Sequence, residues 1–558
     1  MYQSRKRGMS PWPPSAMTAI TVAVLSVGAG VPVAQAFQLD TTDPELSVRW
    51  DNTVKYTAGW RIKGQDSDLV GQVNANDGNL NFDRGLISNR LDLLSELDVV
   101  YRNFGLRLSG AAWYDSVYMG HNDRPNDGTG NPVSVGHDEF TSRVRRIHGR
   151  KVELLDAFVF GRFDLADKPT TVRLGRHAQV WGESLFFGAN AIAGGMAPVD
   201  VVKLSSVPST QFKEAIRPVS QMSGQIQLSS DVSLGAYYQF RWEANRLPAA
   251  GSYFSGVDTA PTGGERLLLG LPVPPFATAD ALQLVDKDAR DSGQGGVQLR
   301  WRAGETDLGF YLIRFHNKSF QQVVNLGLMG PGVTPVSYRL NYHEGITAFG
   351  ASFSRTFGDL NFAGEASIRR NQDLSSSQAV DTSALGGPST NNSSNPAYAI
   401  GKTAHLNLSA MWSVAPSELF PEASLIGEIA WNRVLEVSKN KSALDPNATR
   451  DAVALRMIFE PTYRQVLPGL DISVPVGIGY SPRGSRSMAL GPGAMPADGG
   501  GDISLGVNGI YLDQWRISLN YTHYYGAADQ FLTSANTFSY KQYMKDRDFV
   551  TFSVNRSF

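Results

Sequence analysis

The chain has no cysteine in 558 residues, which excludes thiol catalysis, disulfides and thiolate-bound metals. Charge is also sparse: charged residues make up 18%, the net charge is −1, and the two signs are interleaved rather than clustered. The concentrated basic face of a nucleic-acid binder is therefore missing, and no nucleic-acid partner is expected. After the first forty positions no Pro/Ser-rich linker or charge run divides the chain, so the remainder reads as one unit. From Phe37 onward no charge-free run is long enough for a transmembrane helix, and entry into a membrane there requires strands. Gly-x-Ser-x-Gly, His-Glu-x-x-His, P-loop and dinucleotide motifs are absent, as is the Ser/His/Asn arrangement of membrane phospholipases. No catalytic residue, metal ligand or cofactor is expected, and an enzyme is the disfavoured reading.

Glycine is abundant at 56 residues and aromatics reach 10%, a mixture that suits long strands, tight turns and interfacial rings but also many soluble β proteins. The first segment is more specific. Arg5, Lys6 and Arg7 precede an apolar stretch over 16–31, no charge follows until Asp40, and Ala34-Gln35-Ala36 supplies a small-x-small cleavage site. Residues 1–36 read as a cleavable signal peptide and 37–558 as the mature chain. A membrane anchor is the alternative, but Gly28, Gly30 and Pro32 interrupt the apolar core just before the cleavage pattern.

Over 46–62, Val48, Trp50, Val54, Tyr56, Ala58, Trp60 and Ile62 share one face, broken by Asn52, while Arg49, Asp51, Thr53, Lys55, Thr57 and Arg61 share the other. A period of two sustained this long places one face against an apolar medium and the other against water. Val232, Leu234, Ala236, Tyr238, Phe240 and Trp242 alternate in the same way with Ser233, Gln239, Arg241 and Glu243, and Trp515, Ile517, Leu519 and Tyr521 with Arg516, Ser518, Asn520 and Thr522. A soluble sandwich or lipocalin-like barrel would also alternate. These strands are longer than soluble ones, however, and aromatics gather toward their ends, as Trp50 and Trp60, Tyr101 and Phe104, and Tyr114 and Tyr118 do.

Connection lengths alternate too. Short turns fall near 102–103, 166–169, 230–231, 303–305, 358–359, 415–422, 464–469 and 512–513, with nine long connections between and around them. The pattern predicts an all-β, antiparallel, up-and-down transmembrane barrel of about 18 strands, 16 being the alternative, with both termini on the short-turn side. The last strand carries Val550, Phe552, Val554 and the terminal Phe558 on one face, broken by Arg556. It resembles the terminal signal read by the outer-membrane barrel assembly machinery, which is thus an expected partner together with the lipid bilayer.

The polar faces predict lumen-facing Arg49, Asp51, Lys55, Arg61, Arg90, Asp92, Glu96, Asp98, Arg107, Asp115, Arg241 and Glu243, of both signs and with no single-sign ladder. The longest connections, 179–221 and 246–292, are apolar for exposed loops: the first holds Trp181, Leu185, Phe186 and Phe187, the second the run Leu267-Leu268-Leu269-Gly270-Leu271-Pro272-Val273-Pro274-Pro275-Phe276. Such segments either fold inward and narrow the barrel or pack on each other to stiffen its rim.

The segments Trp50-Asp51-Asn52-Thr53-Val54-Lys55-Tyr56, Leu174-Gly175-Arg176-His177, Trp181-Gly182-Glu183-Ser184, Pro198-Val199-Asp200, and Tyr237-Tyr238-Gln239-Phe240 with Trp242-Glu243 resemble recurrent segments of a proteobacterial outer-membrane family catalogued as domain of unknown function 1302, over nearly all of 37–558. The resemblance implies a membrane β-barrel, transport of hydrophobic compounds, and a periplasmic lipid-carrier-like partner with an efflux-type inner-membrane pump. It carries over the 174–203 segment as a candidate constriction. Arg176, His177, Trp181, Glu183, Phe186, Phe187, Asp200 and Lys203 are then the candidate substrate path, with 179–221 partly folded into the lumen. The leading expectation is a channel for hydrophobic or amphipathic small molecules; a porin for hydrophilic solutes and a structural envelope protein are the alternatives.

Overall fold

A computed structural model describes residues 37–39, 41–206, 215–273, 276–329 and 332–558. Residues 1–36, expected to be a signal peptide, lie outside the described residues. The barrel strands are β1 (Leu46–Arg61), β2 (Gly85–Tyr101), β3 (Phe104–Asp115), β4 (Arg150–Leu165), β5 (Lys168–His177), β6 (Val219–Gln227), β7 (Val232–Gln239), β8 (Gln294–Ala303) and β9 (Thr306–Phe315). They continue as β10 (Ile346–Phe357), β11 (Leu360–Asp373), β12 (Ile400–Val414), β13 (Glu422–Lys439), β14 (Asp451–Leu467), β15 (Leu470–Ser473, resuming at Val476–Ser481), β16 (Gly500–Tyr511), β17 (Trp515–Tyr525) and β18 (Phe549–Ser557). Each pairs antiparallel with the next, and β1 pairs with β18, Thr53 opposite Ser557 and Arg61 opposite Phe549. The result is a closed eighteen-stranded antiparallel barrel. Closure satisfies every strand edge, the condition for a sheet in hydrocarbon.

All eight expected short turns join strands at one end. Two of them show why so few residues suffice: Ala166 and Asp167 (φ 51° and 60°) and Leu512 and Asp513 (φ 51° and 56°) take consecutive left-handed conformations, as type I′ hairpins require. The nine long connections emerge at the other end, and the chain enters β1 and leaves β18 on the short-turn side. A three-residue strand, Phe37–Leu39, extends the ladder on β1 below the end of β18.

Burial is inverted relative to a soluble protein. Trp50 (49% exposed), Leu91, Val152 (84%), Leu234, Tyr238, Leu312, Ile429 and Leu519 face outward and exposed, while Gln221, Ser223, Gln239, Glu365, Arg369, Asn407 and Glu428 are buried within. A belt of this kind is stable only against lipid.

Two aromatic assignments are corrected. Tyr118 is not part of an outer girdle: it lies in a short helix, Ser116–Met119, buried against Phe82, Phe140 and the stacked ring of His148. Trp242 leaves the outward row because β7 ends at Gln239; it packs edge-on to Tyr342 at 4.7 Å and donates Nε1–H to the Asn317 carbonyl at 3.2 Å. Alternation holds only as far as the ladder, which stops short of Trp242.

The described part of the apolar run, 267–273 with Phe276, is strand rather than free loop. Strands Arg266–Val273 and Phe276–Gln283 form a hairpin that joins Gln321–Met329, Gly332–Asn341 and Val380–Asp381 in a separate five-stranded sheet made from three long connections. Leu267 is buried there against Ala281 and Tyr338.

Candidate functional site

Residues 178–192 leave β5 and reach the wall formed by β11, β12 and β13, on the far side of the ring from β2 and β3. Three inward side chains of that wall hold them. The Glu428 carboxylate (1% exposed) accepts N–H groups of Leu185 (3.1 Å), Phe186 and Phe187 (3.0 Å), the Ser184 hydroxyl (2.7 Å) and the Asn407 amide (2.7 Å). Glu365 (4% exposed) accepts N–H of Glu183 at 2.6 Å and of Ile192 at 2.7 Å. Arg369 donates to the carbonyls of Ala189, Asn190 and Ala191 at 3.1, 3.0 and 2.8 Å. Successive N–H groups converging on one carboxylate form an anion nest, and three carbonyls around one guanidinium form its counterpart. The Asn190 side chain completes the clamp, donating to Asn407 Oδ1 at 2.9 Å and accepting from Asn432 at 3.1 Å.

Apolar side chains of the loop go into the wall. Trp181 (5% exposed) lies edge-on to Tyr237, centroids 5.0 Å apart, in a cluster with Ile192, Met196, Tyr311, Ile313, Phe315 and Ile346. Phe187 packs on Ala430 and Ala454. Gly182 has φ 102° and its α-carbon lies so close to Glu365 that any side chain there would collide with the carboxylate. At the junction with β9, Lys318 donates to the Gly195 carbonyl at 3.0 Å, and burial lowers its amine to about 7. Val180 and Ala189 stay exposed, Glu183 and Leu185 are half-buried, and Phe186 packs beside Phe187 against the wall.

The return segment runs toward β4. Asp200 pairs with Arg246 at 2.8 Å, and Arg246 also pairs with Glu153 on β4. Asp200 Oδ1 accepts the Lys203 N–H at 3.2 Å, opening the short helix Val201–Ser206, and Lys203 comes within electrostatic reach of Lys55.

Facing the loop-covered wall, β1–β4 present charge. Arg49 pairs with Asp51 (2.7 Å), Arg90 with Asp92 (2.6 Å), and Arg107 with Asp98 (2.7 Å) and Glu96. Lys55 stands opposite Asp92 in the β1–β2 register. Beneath the loop a cavity of about 630 Å³, lined by Arg162, Thr171, Arg173, Gln225 and Gln298 among others, opens toward the short-turn end.

The proposed path residues thus separate. Trp181, Glu183, Phe186 and Phe187 share the clamp, and Asp200 and Lys203 the return segment. His177 is locked into the wall, with Nε2 2.8 Å from Ser223 Oγ and Nδ1 3.1 Å from the Gly175 carbonyl. Arg176 stands one residue out of phase with it, on the outward register, and pairs with Glu243, which also meets Arg217. Arg241 and Glu243 are therefore not lumen-facing strand residues: both lie beyond the end of β7, in the rim, where strand parity no longer applies. The residues that set the loop, Glu365, Arg369, Asn407 and Glu428, escaped sequence reasoning. Their signal was present as inward polar rows, Glu365-x-Ser367-x-Arg369 and His405-x-Asn407-x-Ser409, in strands read only for their alternation.

A closed barrel with an apolar exterior, a charged lumen and a loop pinned across it defines a transmembrane β-barrel of the outer-membrane type. The chain belongs to the family described as protein of unknown function (DUF1302), whose model matches residues 17–558. No curated protein matches it. Among solved structures it is similar to OccAB4 of Acinetobacter baumannii (9% identity, 92% of this chain and 98% of that one, TM-score 0.42). It is also similar to OpdK of Pseudomonas aeruginosa crystallised with vanillate (9%, 92% and 98%, TM-score 0.38) and to Salmonella typhi OmpF in complex with daunomycin (8%, 93% and 100%, TM-score 0.34).

Proposed function

We propose that the barrel is a channel for small amphipathic molecules, which slide with an apolar side along the clamped loop and a polar end along the charged wall. The observation that carries this reading is the two-sidedness of the passage. The loop that carries the exposed Val180 and Ala189 and the half-buried Leu185 is held on one wall, and the ion-paired Arg49, Asp51, Arg90, Asp92, Glu96 and Asp98 belong to strands on the other. A solute matched to both faces loses less hydration than one matched to a single face. A porin for hydrophilic solutes is the second reading, favoured by the burial of Trp181, Ile192, Met196 and Phe187 in the wall, which withdraws the loop's largest apolar surfaces from the passage.

The readings separate in liposomes carrying the mature protein, by comparing permeation of an aromatic carboxylate with that of a sugar acid of equal size. The aromatic compound is expected to enter several-fold faster. Equal rates would leave a plain porin, and no permeation of either would remove the channel itself.

A further inference from the structure

We propose that the outward face of β1–β4 holds a phosphorylated acyl lipid of the outer leaflet, its chain in a furrow of the wall and its phosphate on Arg150 and Arg146. The proposal rests on the membrane-spanning reading of the barrel and is independent of what passes through it.

Cross-strand register defines the furrow. Val54, Leu93, Ala112 and Val152 form one outward row across four strands, and Tyr56, Leu91, Tyr114 and Arg150 form the next row toward the long-loop end. Gly110, the next outward position of β3 below Ala112, has no side chain. Two consecutive outward positions of β3 are thus nearly bare between strands carrying Leu91, Leu93, Val152 and Leu154. The depression that results, about 550 Å³, is lined by Val54, Leu91, Leu93, Ala112, Tyr114 and Val152, with Arg150 at its border. Most of the barrel exterior is studded with large side chains; here an apolar hollow remains.

The chemistry changes sharply at the upper end. Tyr56 donates to Asn89 Oδ1 at 2.9 Å and Asn89 donates to Ser116 Oγ at 2.8 Å, an outward polar chain that marks where the apolar belt meets the head-group layer. Arg150 stands at this level, at the start of β4. It follows the single π-turn Arg145–Gly149, whose closing bond runs from the Arg150 N–H to the Arg145 carbonyl, so Arg146 lies one turn above it. Arg146 and Arg150 are exposed, and among the described residues neither is ion-paired. Several other arginines, Arg61, Arg107, Arg246 and Arg456 among them, are matched to carboxylates. Two unmatched guanidiniums above an apolar hollow, at interfacial depth, present the forked donors that bind phosphate. A second barrel docked here about a two-fold axis would set these cations against their own copies, which disfavours a dimer contact.

The test uses the full mature protein in detergent. Bound lipid is measured by native mass spectrometry after adding lipid A with both phosphates, its dephosphorylated form, or phosphatidylglycerol. Lipid A is expected to be retained in preference to the other two. The doubly substituted Arg146→Gln, Arg150→Gln protein is expected to lose about tenfold in affinity. Ala112→Leu, which fills the furrow without touching the arginines, is expected to weaken retention as well. Equal retention by wild type and both variants would overturn the site, and phosphatidylglycerol binding as tightly as lipid A would overturn the assignment of its occupant. Single-channel conductance, expected to be the same in all three proteins, keeps this result separate from the transport reading.

Discussion

Glu428 is a carboxylate inside a membrane barrel whose partners are backbone N–H groups of a loop more than 240 positions away in the chain. Hydrogen bonds to an ionised acceptor contribute more than neutral ones, and a buried donor left unsatisfied costs the desolvation of its group. Glutamine at this position keeps one acceptor oxygen but turns an amide N–H₂ toward donors it cannot satisfy. Glu428→Gln is thus expected to weaken the clamp by about 3 kcal/mol, lowering the temperature at which the folded band disappears on unboiled gels. Single-channel conductance is expected to rise because the 183–192 segment loosens. Unchanged conductance with an unchanged transition would show that the segment is held by its apolar contacts alone. Gly182 makes the same point by geometry: the left-handed turn and the close approach to Glu365 allow the loop to meet the wall where the carboxylates stand.

Among the elements, those bounded by local rules were legible and those made by long-range docking were not. The eight short turns could be found because each sits between alternating runs, seven carrying Gly, Asp or Asn where the backbone must reverse and the eighth, 415–422, carrying Pro416 and Pro421. The five-stranded sheet could not: its members come from three connections, two of its pairings are parallel, and nothing in any one segment specifies its neighbours. For the same reason the apolar content of 179–221 and 246–292 signalled burial without saying where; one loop is clamped to the inner wall, and the other gives a hairpin to the five-stranded sheet and packs Tyr253 on Phe549. Lys318 joins two such connections through its bond to the Gly195 carbonyl, and its lowered pKa gives that junction a pH signature. The unfolded chain holds this proton up to about 10.4 whereas the folded chain releases it near 7. Between these values the unfolded state binds more protons, so stability attributable to this group rises with pH across the window and is lowest below 7. Lys318→Met is expected to be stabilised relative to wild type at pH 6, to keep less than half of that advantage at pH 9 and to lose it at about pH 10.4, read as folded-band transition temperatures across a pH series. A constant difference would mean that the amine stays charged in the folded barrel.

At the scale of the whole molecule, closure depends on β18, the last strand made and the partner of the first. Its outward row is Val550, Phe552, Val554, Arg556 and Phe558, set against Trp60, Ala58, Tyr56 and Val54, and the ladder runs to the final residue, where Phe558 and Asn52 exchange backbone bonds of 2.8 Å. Arg556, which broke the apolar alternation, lies over the Trp515 ring at 5.1 Å near the short-turn interface, where a long cationic side chain reaches the head groups. The backbone exchange at Phe558 needs no aromatic ring, so the ring's part in closing the finished barrel is small. If the ring serves the assembly machinery, Phe558→Ser leaves a protein that refolds from denaturant into detergent with wild-type yield and transition temperature, yet appears in the outer membrane at a small fraction of the wild-type level. Pulse-chase fractionation alongside in vitro refolding distinguishes the two steps. A variant that refolds poorly would place the ring in the barrel's own stability, and one that assembles normally in cells would remove the terminal aromatic from the recognition signal.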